Sequence, residues 1–135
     1  MKNYDIFVAD DDFEDRALFE EAFLHHERFT LLGILSSGIE VFEEISRKKN
    51  VPDILLIDMY MPFFTGIDVV HALGRLGAAP TMMKFIISGT ELSEKDNLLN
   101  DPYVVFLQKP VDDAGMKALP DLILQTMQVR EQLSS

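Results

Sequence analysis

Residues 54–62 of the chain are Ile-Leu-Leu-Ile-Asp-Met-Tyr-Met-Pro. The first four are branched and apolar, with no polar residue between them, which predicts a short strand that is covered on both faces. Asp58 follows this run directly, so its carboxylate is expected at the end of that strand. Ligands of α/β proteins gather at the carboxyl ends of parallel strands. The polar residues that follow the strands therefore decide which chemistry the sequence supports.

Four other runs have the same apolar character and also predict strands: 4–9, 29–35, 85–88 and 103–107. Stretches with apolar residues at helical spacing lie between them. Five strands that alternate with five helices predict βαβ units with right-handed crossovers. The predicted fold class is therefore α/β, with a parallel sheet in the middle of three layers.

The predicted helices begin near residue 12, at Ser37 and at Thr65, with a weaker one over 92–99 and a last one from near 119 to about 130. Ser37 with Glu40, and Thr65 with Asp68, predict capping boxes. Gly77 predicts the end of the third helix. Pro120 must either lie in the first turn of the last helix or kink it, and the helix is expected to begin near Leu119.

The composition is that of an ordinary globular protein, with 135 residues, 47% hydrophobic and 26% charged. No apolar run approaches the roughly 18 residues of a membrane span, and the N-terminus lacks the pattern of a signal peptide. A cytoplasmic location is therefore expected.

The absence of cysteine excludes disulfides, thiolate metal sites and cysteine nucleophiles. A net charge of −11 opposes direct binding to nucleic acid or anionic lipid and is compatible with a bound cation or a basic protein partner.

Polar side chains follow four of the five predicted strands. They are Asp10–Asp11–Asp12 after the first, Asp58 after the third, Ser88 at the end of the fourth, and Lys109 with Pro110 after the fifth. Each has an ordinary structural alternative, because aspartate often caps a helix and serine often occupies a turn. Together they place carboxylates, a hydroxyl and an ammonium at one edge of the sheet.

Clustered carboxylates repel one another unless a cation neutralises them, and an all-oxygen donor set favours Mg²⁺. A carboxylate beside such a metal can attack phosphorus and form an acyl phosphate. The metal, a lysine and a hydroxyl donor are the groups that would stabilise the charge on the phosphoryl oxygens. This inventory of residues predicts a Mg²⁺-dependent phosphorylation of Asp58.

The same residues resemble the receiver domain of bacterial two-component response regulators. Four segments carry the resemblance, in this order: Ile-Phe-Val-Ala-Asp-Asp-Asp at 6–12, Leu-Leu-Ile-Asp-Met-Tyr-Met-Pro at 55–62 with Gly66, Ile-Ile-Ser-Gly at 86–89, and Val-Phe-Leu-Gln-Lys-Pro at 105–110. The match runs from Tyr4 to about Met127. It implies a flavodoxin-like (βα)5 fold with strand order 2-1-3-4-5, and a single receiver domain over residues 1–135 without an output domain.

The resemblance also implies roles for individual residues. Asp58 is the expected phosphoacceptor. Asp10 and Asp11 are expected to bind Mg²⁺, together with Asp58 and the backbone carbonyl of Tyr60. Asp12 falls at a position that varies in the family, so it is not expected to be a ligand.

Further roles follow from the same resemblance. Ser88 is the expected switch hydroxyl that donates to a phosphoryl oxygen, and Gly89 leaves room for the phosphoryl group. Lys109 is expected to pair with that group, with a cis bond between Lys109 and Pro110. Phe106 occupies the aromatic switch position but lacks the hydroxyl of the tyrosine often found there. It is an ordinary core residue in the alternative interpretation.

By this resemblance the chain takes a phosphoryl group from a sensor histidine kinase or a histidine phosphotransfer protein. It would then signal through the face of the fourth helix, fifth strand and last helix, to an unknown downstream protein or by forming a homodimer. Two alternatives stay open: an aspartate-nucleophile phosphohydrolase, which typically has a second aspartate where this chain has Tyr60, and a receiver that only binds partners.

Tyr60 leads to a hypothesis about timing. Tyr60 lies two residues after the phosphoacceptor, so its ring would project beside the phosphoryl group. There it would obstruct the water that hydrolyses the acyl phosphate. The alternative is that Tyr60 only covers the rim of the site.

Overall fold

The computed structural model describes residues 2–47, 51–90 and 101–134. Five strands form one sheet: β1 (Tyr4–Ala9), β2 (Phe29–Leu35), β3 (Ile54–Asp58), β4 (Met83–Ser88) and β5 (Val104–Gln108). The strands lie in the order β2-β1-β3-β4-β5, and every neighbouring pair is parallel. The predicted fold class and strand order are therefore confirmed.

Helices cover both faces of the sheet. They are α1 (Phe13–Leu24), α2 (Gly38–Ser46), α3 (Gly66–Arg75) and α4 (Asp113–Ser134). The helix predicted over 92–99 lies outside the described residues. Among the described residues, no helix is both long and apolar enough to cross a membrane.

The central strand β3 explains why its sequence lacks polar alternation. All five of its residues are buried. Ile54 and Leu56 belong to the core formed with α1 and α4, whereas Leu55 and Ile57 belong to the core formed with α2 and α3. Since both faces are covered, both sets of side chains must be apolar. Asp58, the last residue of β3, is thereby held at a fixed place on the edge of the sheet.

Local side-chain hydrogen bonds set the limits of the middle helices. The Thr65 hydroxyl accepts from the Asp68 N–H at 3.1 Å while the Asp68 carboxylate accepts from the Thr65 N–H at 3.0 Å, so this capping box is confirmed. At α2 only half of the predicted box forms. Ser37 accepts from the Glu40 N–H, but the Glu40 carboxylate accepts from the hydroxyls of Ser36 and Ser37.

The end of α3 matches its sequence signal. Gly77 has a φ of 63°, in the left-handed region that glycine adopts without a steric penalty. Its N–H donates to the Gly74 carbonyl at 3.1 Å, and the Ala78 N–H donates to the Leu73 carbonyl at 3.0 Å. These two bonds satisfy carbonyls that the end of the helix would otherwise leave unpaired.

The predicted start of the last helix is wrong. The helix α4 begins at Asp113 rather than near Leu119, and Pro120 lies inside it. An interior proline costs about 3 kcal/mol. Burial of Met116 and Leu119 against the α1 face recovers about 1.5–3 kcal/mol for each side chain, which offsets that cost.

Two glycines of α3 provide a matched test of how closely this helix approaches the end of β3. A Cβ at Gly66 would lie 2.9 Å from the Asp58 carbonyl oxygen, whereas a Cβ at Gly74 would meet no atom within 4 Å among the described residues. Gly66→Ala is expected to lower the free energy of unfolding by about 1–3 kcal/mol, because backbone must shift. Gly74→Ala is expected to raise it by about 0.5–1 kcal/mol through helix propensity.

Urea unfolding of the two variants measures both effects. Equal changes in the two variants would contradict a close approach of α3 to Asp58.

Candidate functional site

The parallel sheet brings the polar ends of four strands to one edge. Asp10 follows β1, Asp58 ends β3, Ser88 ends β4, and Lys109 follows β5. The backbone joins these positions directly, since the Lys109 N–H donates to the Ser88 carbonyl at 2.7 Å. The strand ends therefore hold these side chains on rigid elements.

Three carboxylates lie together at this edge. One oxygen from each of Asp10, Asp11 and Asp58 falls within 4.8 Å of the other two. Asp10 is fully buried and Asp58 is 7% exposed, whereas Asp11 is open to solvent. Such a set of hard oxygen donors, two of them shielded from water, suits a divalent cation of the Mg²⁺ type. The residues present therefore fit the predicted metal, and the Tyr60 carbonyl as a further ligand stays a prediction.

Asp12 has a different task. Its side chain accepts from the Asp15 N–H at 3.0 Å and caps α1. The backbone N–H of Asp12 in turn donates to Asp10 Oδ1 at 2.9 Å. The N-terminus of α1 thus orients the Asp10 carboxylate from one side.

Lys109 supplies the positive charge of the site. Its Nζ lies 2.7 Å from Asp10 Oδ2, 2.6 Å from Asp15 Oδ2 and 3.6 Å from Asp58 Oδ1. Burial lowers the pKa of Lys109, but its hydrogen bonds with Asp10 and Asp15 raise that pKa by more, well above its usual range. The ammonium is therefore charged at neutral pH.

Asp15 is a member of the site that the sequence analysis missed. Its only signal in the sequence is one more acidic residue in the first turn of α1, where carboxylates are common because they interact with the helix dipole.

The carboxyl groups of Asp10 and Asp58 both bind protons more tightly than usual. Burial raises the pKa of Asp58 to about 6, with Lys109 lowering it and the charges of Asp10 and Asp11 raising it further. Burial also raises the pKa of Asp10, against hydrogen bonds from Lys109 and the Asp12 N–H. Asp58 is thus mainly ionised at pH 7, at an electrostatic cost.

The hydroxyl groups near Asp58 form a chain. Ser88 is fully buried, and its Oγ accepts from the Thr90 N–H at 3.2 Å and lies 3.3 Å from Thr90 Oγ1. The Thr90 hydroxyl reaches the Tyr60 hydroxyl at 3.5 Å. Tyr60 is about half exposed, at the rim of the site. Thr90 lies just after the segment 86–89 and belongs to none of the motifs that predict the site.

Two other positions concern the predicted switch. A side chain at Gly89 would meet no atom within 4 Å in the described part of the chain, so space is open there. Phe106 pairs with Ile86 across the sheet and packs, partly buried, against the core formed with α2 and α3. Its role as a switch stays a prediction.

The predicted cis bond between Lys109 and Pro110 is wrong. None of the peptide bonds within residues 2–47, 51–90 and 101–134 is cis. The trans form is favoured by about 0.5–1 kcal/mol for bonds that precede proline. In this form the Lys109 ammonium already reaches Asp10, so its contacts do not require the cis form.

The raised pKa of Asp58 predicts a pH-dependent effect on stability. Asp58→Asn removes a buried charge and is expected to raise the free energy of unfolding at pH 7, without divalent cations, by about 1–3 kcal/mol. The folded protein binds the Asp58 proton more tightly than the unfolded chain does, so the wild type loses stability as pH rises from 3.8 to about 6. The gain from the substitution should therefore shrink as pH falls to 5.

Urea unfolding with a chelator at pH 5, 6 and 7 measures this difference. Asp12→Asn is the matched control, since asparagine also caps helices and Asp12 is exposed. A gain in stability for Asp58→Asn that stays constant from pH 5 to pH 7 would contradict a raised pKa of Asp58.

Known proteins share both the sequence pattern and the fold. The family model described as the response regulator receiver domain matches residues 6–119. The transcriptional regulatory protein CitT of Halalkalibacterium halodurans is 23% identical over 92% of this chain and 54% of its own length. A protein-glutamate methylesterase/protein-glutamine glutaminase of Myxococcus xanthus is 26% identical over 78% of this chain and 30% of its own. The chain thus spans about half or less of these relatives.

Solved structures show the same architecture. The response regulator domain of Thermotoga maritima CheB has a TM-score of 0.73 and 20% identity, with 94% of this chain and 96% of that chain covered. The signal receiver domain of the response regulator NarL from Mycobacterium tuberculosis has a TM-score of 0.72 and 21% identity, with 90% and 97% covered. With the family match over most of its length, this chain belongs to the response regulator receiver domains.

Proposed function

We propose that Asp58 accepts a phosphoryl group from the phosphohistidine of a sensor histidine kinase or a histidine phosphotransfer protein, in a Mg²⁺-dependent reaction. The observation that carries this proposal is the placement of three carboxylates within 4.8 Å of one another, beside the Lys109 ammonium. Two of these three carboxylates are buried, so their mutual repulsion is costly, and a divalent cation bound among them would reduce that cost.

The transfer step involves few protein groups. A carboxylate oxygen of Asp58 attacks phosphorus, and the new O–P bond forms as the P–N bond to the donor imidazole breaks. The electron pair of that bond stays with the imidazole nitrogen, and Asp58 becomes an acyl phosphate. Because the pKa of Asp58 is about 6, the carboxylate is available for attack at pH 7.

The other residues of the site position and neutralise charge. Asp10, Asp11, Asp58 and the Tyr60 carbonyl would hold Mg²⁺, which when bound draws negative charge away from the phosphoryl oxygens. Lys109 contributes a second positive charge on the β5 side. The mechanism thus depends on positioning and electrostatics, as in other phosphoryl transfers.

The signal would leave the site through Ser88 and Phe106. The Ser88 hydroxyl, now beside Thr90, would turn to donate to a phosphoryl oxygen, and Phe106 would move into the space that this opens. Such a step shifts the population between two arrangements of the face that includes β5 and α4. Downstream proteins, or a second copy of the chain, would bind the arrangement that phosphorylation favours.

Phosphorylation by a small donor tests the chemistry directly. With acetyl phosphate and Mg²⁺, the wild type is expected to gain one phosphate by intact mass, and Asp58→Asn none. Asp11→Asn is expected to lose the Mg²⁺-dependent uptake, whereas Asp12→Asn, the adjacent carboxylate that caps α1, should retain it. Uptake by Asp58→Asn equal to that of the wild type would refute the proposal, and rapid multiple turnover would favour a phosphohydrolase.

Dephosphorylation tests the hypothesis about Tyr60. If its ring obstructs the attacking water, Tyr60→Asn should accelerate loss of phosphate by about tenfold, which corresponds to about 1.4 kcal/mol of barrier. Tyr60→Phe keeps the ring and loses only the hydroxyl near Thr90, so it should stay within about twofold of the wild type. The decay of phosphorylated protein after removal of the donor is the measurement. No acceleration in Tyr60→Asn would leave Tyr60 as a rim residue only.

A further inference from the structure

The Lys109 ammonium is shared unequally among three carboxylates. It lies 2.6 Å from Asp15 Oδ2 and 2.7 Å from Asp10 Oδ2, but 3.6 Å from Asp58 Oδ1. The two short contacts are charge-assisted hydrogen bonds, whereas the third is too long for one. The Lys109 ammonium, which is expected to pair with the phosphoryl group, is therefore bound mainly by carboxylates that do not accept that group.

Asp15 differs from the other two carboxylates. Asp10 fits the metal site and Asp58 the acceptor, but Asp15 lies outside the group of three that could share an ion. Its side chain forms an ion pair with Lys109. Asp15 belongs to none of the four segments that carry the resemblance to receiver domains.

We infer that Asp15 is a positioning residue that restrains Lys109 and thereby slows the phosphorylation of Asp58. This role rests on the proposed phosphorylation of Asp58. Asp15 does not touch the reacting atoms and acts only through the ammonium.

Both ends of the contact are anchored to the fold. The Asp15 N–H donates to the Asp12 side chain at 3.0 Å, which fixes the first turn of α1. The Lys109 N–H donates to the Ser88 carbonyl at 2.7 Å, which fixes the residue after β5. The side chains are 29% and 18% exposed, so water screens the pair only in part. The ion pair is therefore built into the resting geometry of the site.

The effect on the reaction follows from charge. A lysine ammonium has three donors, and Asp10 and Asp15 occupy two of them. Whichever group Asp10 binds, the Asp15 carboxylate would still neutralise much of the positive charge of Lys109. The phosphoryl oxygens then compete with Asp15 for the ammonium. Partly exposed ion pairs of this kind correspond to about a two- to fivefold effect.

The test compares rates of phosphorylation by acetyl phosphate at fixed Mg²⁺, followed by intact mass. Asp15→Asn keeps the shape of the side chain and removes its charge, and it should raise the initial rate by about two- to fivefold. Glu14→Gln is the matched control. It removes the same charge from an exposed residue in the same helical turn, so it reports any general gain from weaker repulsion of the anionic donor. Its rate should match the wild type.

A conservative variant separates the charge contact from a merely structural role. Asp15→Glu keeps the carboxylate and should return the rate to within about twofold of the wild type. A rate for Asp15→Asn that is unchanged, lower, or matched by Glu14→Gln would overturn the role of Asp15. If the wild type itself takes up no phosphate on Asp58, the proposed function fails as well, and this outcome is distinct from the others.

Discussion

Repulsion among the carboxylates at the ends of β1 and β3 is the constraint on which the site depends. Asp10 and Asp58 are both buried, and burial raises the pKa of each, so every ionised state of the pair is costly. Lys109 reduces this cost without removing it, because its one charge faces several carboxylates. Because negative charge remains, binding of a divalent cation at this edge of the sheet is favourable.

The fold keeps these groups together despite their repulsion. The parallel strands all end at the same edge, and the central strand β3 is buried on both faces, so Asp58 cannot withdraw without disturbing both cores. The first residue of α3 approaches the Asp58 carbonyl so closely that only glycine fits there without a shift. The free energy gained by burying apolar side chains along the strands therefore offsets the electrostatic repulsion at their ends.

The start of the last helix reflects contacts between residues that are far apart in the sequence. The start of α4 depends on burial of Met116 and Leu119 against α1, which outweighs the cost of Pro120. The start also has a local signal that the sequence analysis missed, because the Asp112 side chain accepts from the Gly115 N–H at 2.8 Å and so caps the helix.

The sequence by itself determined the alternation of strands and helices, the strand order through its resemblance to receiver domains, and the residues at the strand ends. Apolar runs and the polar residues that follow them are local properties, so they can be identified without coordinates. Only the tertiary structure decided how the charges are divided. It placed Lys109 nearer to Asp15 than to Asp58, and it set Thr90 between Ser88 and Tyr60. Asp15 and Lys109 are 94 positions apart in the chain, so their distance depends on the placement of α1 against the sheet that contains β5.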